Sequence, residues 1–145
     1  MNITVRQLLY RKGDQIWAIQ QNSTVFDALE LMAAKEIGAL LVFDGDQLCG
    51  IFSERDYARK VVLKGKLSHH TTVGEIMTQK VLVVHPNQTM HDCMALMTDK
   101  RIRHLPVLED DSLIGVISIG DVIKEIISEQ EFVIGQLENY ITGGR

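Results

Sequence analysis

Two short motifs in this chain of 145 residues combine a hydroxyl and a carboxylate at a spacing that suits ligand binding. They are the first motif, GIFSERD (50–56), and the second motif, GVISIGD (115–121). Three positions separate serine from aspartate in each, as Ser53 and Asp56 and as Ser118 and Asp121. A carboxylate can accept hydrogen bonds from two sugar hydroxyls, and a serine hydroxyl can donate to a sugar or phosphate oxygen. Each motif also predicts a strand end that meets a helix start, where free N–H groups favour phosphate.

The same residue types are typical of helix caps. A serine or threonine at a helix start accepts a hydrogen bond from a backbone N–H, and an acidic residue three positions later favours the positive helix end. Thr24 with Asp27 and Thr89 with Asp92 have this spacing before two other predicted helices. Capping and ligand binding are therefore alternative interpretations of both motifs.

The chain contains an internal duplication. Residues 24–56 align without a gap with residues 89–121, and a weaker match joins two further segments. That weaker match pairs Val5, Leu8 and Leu9 with Val73, Ile76 and Met77. In each copy a short apolar strand leads to a helix with apolar residues at i, i+3, i+4 and i+7, and two strands and a second helix follow. The predicted fold class is α/β (α+β), with two tandem β-α-β-β-α repeats.

Each repeat is small for burying an apolar core alone, so we expect the two to pack sheet against sheet. The predicted boundaries are 1–64 for the first repeat, 65–71 for a polar linker, 72–130 for the second repeat and 131–145 for a C-terminal helix and tail. The amphipathic pattern of that helix comes from Phe132, Val133, Leu137, Tyr140 and Ile141. We expect its apolar face to pack on the repeats or on a second subunit.

Composition argues against several classes of function. A formal net charge of -4 disfavours a general nucleic-acid-binding protein, because phosphate affinity depends on clustered Lys and Arg. No apolar run approaches the roughly 18 residues of a transmembrane helix, and the N-terminus lacks the pattern of a secretory signal. We therefore expect a cytoplasmic protein without membrane contact. Cys49 and Cys93 lie in apolar contexts and are interpreted as small buried hydrophobic residues.

Signals for catalysis or metal binding are weak. His69 and His70 lie in the predicted linker without further ligands at a recognisable metal spacing. The second motif is not a Gly-x-Ser-x-Gly nucleophile turn, and the chain lacks a lysine-containing phosphate-binding loop. We expect neither a bound metal nor an enzyme.

The duplicated unit, closed in each copy by Gly-apolar-apolar-Ser-x-x-Asp, resembles the CBS domain, of which a tandem pair forms a Bateman module. The stretches SERDYARKV, MTDKRIRHLPV, VISIGDV and LENYITGGR are similar to those of stand-alone CBS-pair proteins from bacteria and plant organelles. The resemblance covers nearly the whole chain. It implies two repeats packed with pseudo-twofold symmetry, assembly into a homodimer, and clefts between the repeats that bind adenine nucleotides.

The resemblance also assigns residues to these clefts. Asp56 and Asp121 would bind ribose, Ser53 and Ser118 would contact ribose or phosphate, and adenine would lie beside the first strand of the same copy. The predicted nucleotide-binding residues are Trp17, Ala18, Ile19, Gly38, Ala39, Ser53, Arg55, Asp56, Arg59, Val83, His85, Arg103, His104, Pro106, Ser118 and Asp121.

The two predicted clefts differ in charge. By the resemblance, Arg103 and His104 face the nucleotide held by Asp56, whereas their counterparts Gly38 and Ala39 face the other nucleotide. The arginines of the first motif and of the helix after it add further positive charge. We therefore expect the Asp56 cleft to bind phosphate more strongly. The alternative, that these arginines form a solvated surface, stays open.

Together these expectations describe a regulatory module that binds adenine nucleotides and senses energy or redox state. AMP is the first expected ligand, and ADP, ATP or NAD(H) are alternatives. The alternative function is a protein-interaction module with little nucleotide dependence, whose C-terminal helix contacts a regulated partner. The resemblance suggests a redox protein such as thioredoxin for that role.

Overall fold

The computed structural model describes residues 3–13 and 15–141, which form two compact units with the predicted mixture of strands and helices. The first-motif unit is Ile16–Val81. The second-motif unit contains the described residues of Met1–Gln15 and Leu82–Arg145. Each unit has its own apolar core.

The first-motif unit is built on a three-stranded sheet with the order β1-β2-β3, in which β1 is parallel and β3 antiparallel to β2. Its elements are β1 (Ala18–Gln20), α2 (Val25–Lys35), β2 (Ala39–Asp44), β3 (Gln47–Ser53), α3 (Glu54–Asp56), a π-helix (Tyr57–Val62) and α4 (Val73–Ile76). The predicted apolar face of α2 is confirmed, because Val25, Ala28 and Met32 are buried and Leu29 packs partly on the core.

The second-motif unit has a two-stranded antiparallel sheet. Its elements are α1 (Val5–Lys12), α5 (Met90–Lys100), β4 (His104–Glu109), β5 (Ser112–Ser118) and α6 (Ile119–Ile141). The predicted strand VLVVH forms only an isolated parallel bridge, between Val84 and Val107. Pro106 explains the difference, since it lacks the N–H that its counterpart Leu41 donates to the carbonyl of Trp17.

Two short helices are exchanged between the repeats. α1 precedes the first repeat in sequence, yet it packs in the second-motif unit, where Val5 and Leu8 are buried. α4 opens the second repeat, yet it packs in the first-motif unit, where Val73 and Ile76 are buried. The weak sequence match therefore marks two equivalent helices. The predicted boundaries divide the sequence repeats and do not coincide with these packed units.

The predicted polar linker is packed against α2. Thr71 is only 5% exposed, its carbonyl accepts a hydrogen bond from Val25 N–H at 2.8 Å, and its hydroxyl donates to the carbonyl of Leu67 at 2.8 Å. His69 is exposed as predicted, and its ring also stacks on Phe26 with centroids 4.0 Å apart. This segment thus belongs to the first-motif unit.

The helices after the two motifs differ in form. α3 continues as the π-helix after the first motif, whereas α6 runs unbroken for 23 residues after the second. The predicted closing helix of the second repeat and the predicted C-terminal helix are therefore one element. Residues 142–145 of the predicted tail lie outside the described residues. Within residues 3–13 and 15–141, no helix is long and apolar enough to span a membrane.

Candidate functional site

Both motifs cap their helices in the reciprocal way that their sequence predicts. Ser53 N–H donates to Asp56 Oδ2 at 3.0 Å, and Asp56 N–H donates to Ser53 Oγ at 3.2 Å. The equivalent bonds between Ser118 and Asp121 are 2.9 Å and 3.2 Å long. Each aspartate therefore already stabilises a helix start.

The glycine of each motif allows another segment to cross its strand closely. A Cβ atom at Gly50 would lie 2.5 Å from Met77 Sδ and 2.9 Å from the carbonyl oxygen of Thr78. A Cβ atom at Gly115 would lie 2.7 Å from Leu9 Cδ2. Because these contacts come from the segment after α4 and from α1, the exchanged helices press on equivalent points of the two motifs.

Asp56 is buried and surrounded by hydrogen-bond donors. It is 7% exposed. The hydroxyl of Thr78 donates to Oδ1 at 3.0 Å, Lys60 Nζ also lies 3.0 Å from Oδ1, and Ser53 Oγ donates to Oδ2 at 3.1 Å. Lys60 Nζ also donates to the carbonyl of Ile76 at 3.1 Å, which holds the ammonium in place. Both carboxylate oxygens therefore have donors from the protein.

Asp121 is more open and receives a lysine from α1. Its side chain is 25% exposed, and Lys12 Nζ lies 2.6 Å from Oδ2 while also donating to the carbonyl of Val116 at 3.0 Å. Burial alone raises the pKa of Asp121. The hydrogen bonds from Lys12 and Ser118 and the charge of Lys12 lower it further than burial raises it, so the pKa lies below its ordinary value.

Four predicted residues lie at the start of β2 or β4, next to the motif helix of their own unit. The carbonyl of Gly38 accepts from the first residue of α3 at 3.1 Å, and Ala39 lies opposite the serine of the first motif. The carbonyl of Arg103 accepts from the first residue of α6 at 2.8 Å, and His104 lies opposite the serine of the second motif. That Arg103 and His104 face the nucleotide of Asp56 stays a prediction.

The residues predicted to lie beside adenine are found in each unit at the segment expected to form its first strand. Trp17 is half-buried at the start of β1, and Lys35 Nζ lies 4.5 Å from the centre of its ring. Ala18 is exposed, while Ile19 packs partly on the core. The face of the Trp17 ring is thus in contact with a cation.

The corresponding residues of the second-motif unit form less regular structure. Val83 is half-buried and Pro106 is buried, and the carbonyl of Pro106 accepts from the N–H of Val84 at 3.0 Å. His85 is exposed, and its Nδ1 lies 3.3 Å from the carbonyl oxygen of Leu108. Backbone groups therefore already use part of this edge.

An open groove of about 530 Å3 lies beside α2 and the start of α3. It is lined by Leu29, Met32, Ala33, Glu36, Ile37, Gly38, Glu54 and Tyr57. The carboxylates of Glu36 and Glu54 make its charged lining acidic, which disfavours a phosphate there.

Within the described ranges, no group of three or more His, Cys, Asp or Glu side chains could hold a metal ion.

Sequence reasoning missed the two lysines that contact the aspartates. Arg55 and Arg59, which it selected, are exposed. Lys60 contacts Asp56 instead, and its i,i+4 spacing from that aspartate was a usable signal. Lys12 had only the weak match of α1 to α4 as a signal, because it lies far from Asp121 in sequence.

Comparison with known proteins gives these units a family context. The model of the CBS domain matches residues 12–63 and 73–128. A mitochondrial CBS domain-containing protein of Arabidopsis thaliana, CBSX3, is 42% identical over 137 residues, which make up 91% of this chain and 66% of that protein. The chain thus spans slightly less than two thirds of this relative's length.

Two solved structures extend the comparison. A proposed signal-transduction protein with CBS domains from Burkholderia ambifaria MC40-6 is 55% identical, with a TM-score of 0.85, covering 88% of this chain and 96% of the other. The hexameric CBS-CP12 protein from bloom-forming cyanobacteria is 29% identical, with a TM-score of 0.75, covering 85% of this chain and 71% of the other. The likeness includes both repeats.

Proposed function

This chain belongs to the CBS-domain family of regulatory and signalling proteins, and from that premise we propose that it binds adenine nucleotides, AMP foremost, as a sensor of energy or redox state. One observation carries the proposal. The same arrangement occurs in both units, with a strand end, a segment crossing a glycine, and a Ser-Asp pair at a helix start. In this proposal the arrangement binds a regulatory ligand and does not act in catalysis.

We propose the second motif as the principal ribose site. A ribose at Asp56 would have to displace the hydroxyl of Thr78 or the ammonium of Lys60, because the carboxylate is buried and both oxygens have donors. At Asp121 the bonds from Ser118 N–H and Lys12 both end on Oδ2, and the side chain is partly exposed. A ligand hydroxyl therefore needs less rearrangement to reach this carboxylate.

Cations of α1 support the same order. Lys12 contacts Asp121, and Arg11 pairs with Glu125 of α6 at 3.0 Å with its own side chain 59% exposed. Lys12 lies at the start of α6, where the helix dipole also favours an anion, whereas Arg11 lies beside the second turn of that helix. The sequence ranked the Asp56 cleft first for phosphate. We propose the reverse order because Lys12 contacts Asp121 and Arg11 lies nearby, whereas the charge comparison made from the sequence included neither of these cations.

The test is a binding panel with AMP, ADP, ATP, adenosine, NAD and NADH at one concentration. A ligand that binds only the folded state stabilises it by roughly 2.7 kcal/mol at a hundredfold excess over its dissociation constant, which a thermal shift detects. We expect AMP to give a shift that Asp121→Asn removes. Asp92→Asn is the matched control, because Asp92 caps α5 in the same way outside the motifs.

The outcomes distinguish an error in the proposed ligand from an error in the proposed binding site. A flat panel for the unmodified protein would contradict nucleotide sensing, and a larger response to ATP or NADH would change the ligand. If AMP still binds Asp121→Asn at full affinity and fails to bind Asp56→Asn, the first motif is the principal site. Lys12→Met should weaken AMP more than adenosine, since only AMP carries a phosphate.

The alternative of a partner-regulating module stays testable through α6. Deleting residues 131–145 should abolish partner capture and leave nucleotide binding intact if that alternative holds. Thiol exchange with a redox partner has little support, because burial raises the pKa of Cys93 to about 11 and also raises that of Cys49. Protonated thiols are poor nucleophiles.

A further inference from the structure

The chain that leaves the π-helix holds apolar side chains in solvent. Residues 62–67, which we call the 62–67 segment, are all exposed. The exposed fractions of Val62, Leu63 and Leu67 are 53%, 77% and 65%. A single exposed aliphatic side chain is ordinary, whereas several that are close together mark an interaction site. The 62–67 segment is therefore a candidate docking surface.

Backbone hydrogen bonds hold this segment in shape. Lys66 N–H donates to the carbonyl of Val61 at 2.9 Å, and Val61 itself is buried in the core of the first-motif unit. Gly65 has a φ of 68°, which glycine adopts without strain, and its N–H donates to the carbonyl of Val62 at 3.1 Å. Because the backbone is already ordered, binding through its side chains costs little backbone entropy.

The charge around this segment is positive. The basic residues of the range 57–74 are Arg59, Lys60, Lys64 and Lys66, and this range contains no Asp or Glu. Lys60 pairs with Asp56, while the other three are exposed. The whole chain has a net charge of -4, so this concentration of cations is local. Exposed charges act over roughly 8 Å at physiological ionic strength, so an anionic surface in contact with the segment is attracted despite the net charge.

We propose that the 62–67 segment binds the surface of an anionic lipid bilayer. Leu63 and Leu67 enter the boundary between headgroups and acyl chains, while Lys64 and Lys66 stay at the level of the lipid phosphates. Lysine suits this position because its stem is apolar and its ammonium reaches the headgroups. The expectation of no membrane contact rested on spanning helices and secretory signals, and neither bears on a peripheral contact.

The shape of the segment favours a bilayer over an acidic segment of a partner protein. A helix or strand of a partner binds in a groove or along a sheet edge that covers its apolar side chains. The groove beside α2 is lined by other residues and contains none of the 62–67 segment. A leucine that projects from a turn is surrounded on all sides when it enters a fluid bilayer, which needs no matching groove.

The first test is co-sedimentation of the full chain with lipid vesicles. Vesicles of phosphatidylglycerol and phosphatidylcholine in equal amounts should bind the protein about tenfold more tightly than pure phosphatidylcholine. Leu63→Ser combined with Leu67→Ser should weaken binding to the anionic vesicles by about tenfold. Tyr10→Ser combined with Ile141→Ser is the matched control, since these side chains are 93% and 80% exposed outside the segment. No binding by the unmodified protein, or equal losses in the two double variants, would overturn the proposal.

A second pair of variants tests the charge. Lys64→Gln combined with Lys66→Gln should weaken binding to the anionic vesicles by about tenfold, because each lysine near the surface contributes to the attraction. Lys80→Gln combined with Lys124→Gln makes the same change in net charge at two other exposed lysines, and should have less than about a twofold effect. Equal effects of the two pairs would show that net charge alone governs binding, which contradicts a contact through the segment.

A fluorescent probe distinguishes insertion from adhesion. In a Cys49→Ser background, where Cys93 is fully buried, Leu67→Cys can be labelled with the environment-sensitive dye NBD. Its emission should shift to the blue on anionic vesicles, whereas the dye at Tyr10→Cys should not respond. No shift at position 67 would overturn the proposal. Tight binding of labelled poly-L-glutamate without binding of the vesicles would also overturn it and would favour an acidic protein partner.

Discussion

The two motifs share a sequence pattern and a cap geometry, yet their aspartates have different surroundings. The side chain of Asp56 is 9% exposed and contacts Thr78 and Lys60, whereas that of Asp121 is 25% exposed and contacts Lys12. The difference comes partly from the exchanged helices, since α4 is followed by Thr78 and α1 ends at Lys12, and partly from Lys60 of the π-helix. Local sequence thus determines the cap, whereas access to the carboxylate depends also on the segment that crosses the motif.

Replacing the glycine of each motif with alanine should give the largest difference in stability between the two units. Gly50→Ala should cost about 3 kcal/mol and Gly115→Ala about 1 kcal/mol in free energy of unfolding. At Gly50 the new methyl meets the backbone carbonyl of Thr78, which is held in a bridge to Ile51, while at Gly115 it meets the mobile end of Leu9. Urea denaturation measures both free energies of unfolding. Equal losses would show that both crossing segments accommodate a methyl group equally well, which would contradict the predicted difference.

Removal of each aspartate should reveal a smaller contrast. Asp56→Ala leaves Thr78 and Lys60 without their acceptor and should cost about 2 kcal/mol, whereas Asp121→Ala should cost about 1 kcal/mol. Asp92→Ala removes only an exposed cap and should cost about 0.5 kcal/mol, which makes it the control. If Asp121→Ala lowers the free energy of unfolding most of the three, then the more exposed aspartate does not contribute less to stability.

The smallest expected effect is the contribution of Asp121 to the pH dependence of stability. The pKa of Asp121 is lower in the folded than in the unfolded chain, so the folded state binds fewer protons and stability rises with pH. This contribution is complete above the unfolded value of about 3.9 and is lost as pH falls through the lower folded value. Thermal unfolding of Lys12→Met should lose less stability than the unmodified protein across that acidic range. Parallel curves would contradict the role of Lys12.

The sequence predicted what depends on short-range pattern. The duplication, the buried faces of α2 and α5, and the caps at Thr24 and Thr89 are all present. Apolar spacing and capping chemistry act over a few residues, which is why one sequence suffices to read them. The same applies to the strand pairs β2-β3 and β4-β5, whose connecting turns are short.

The sequence did not predict the contacts between residues that are far apart in the chain. The match of Val5, Leu8 and Leu9 to the segment after Thr72 identified equivalent residues, but periodicity does not say which repeat each helix covers. The contact of Lys12 with Asp121 depends on that choice. Pro106, in contrast, carried a readable signal against a full third strand, because a proline cannot donate to a neighbouring strand.

The exchange of α1 also sets the order in which the units can mature on the ribosome. Synthesis proceeds from the N-terminus, and domains generally fold as units as they emerge. The first-motif unit is complete once residue 81 has emerged, whereas Val5 and Leu8 of α1 find their core only after residues 82–141 are made. Until α6 is synthesised, the nascent chain therefore carries the apolar face of α1 uncovered, while every residue of the first-motif unit is already available for folding.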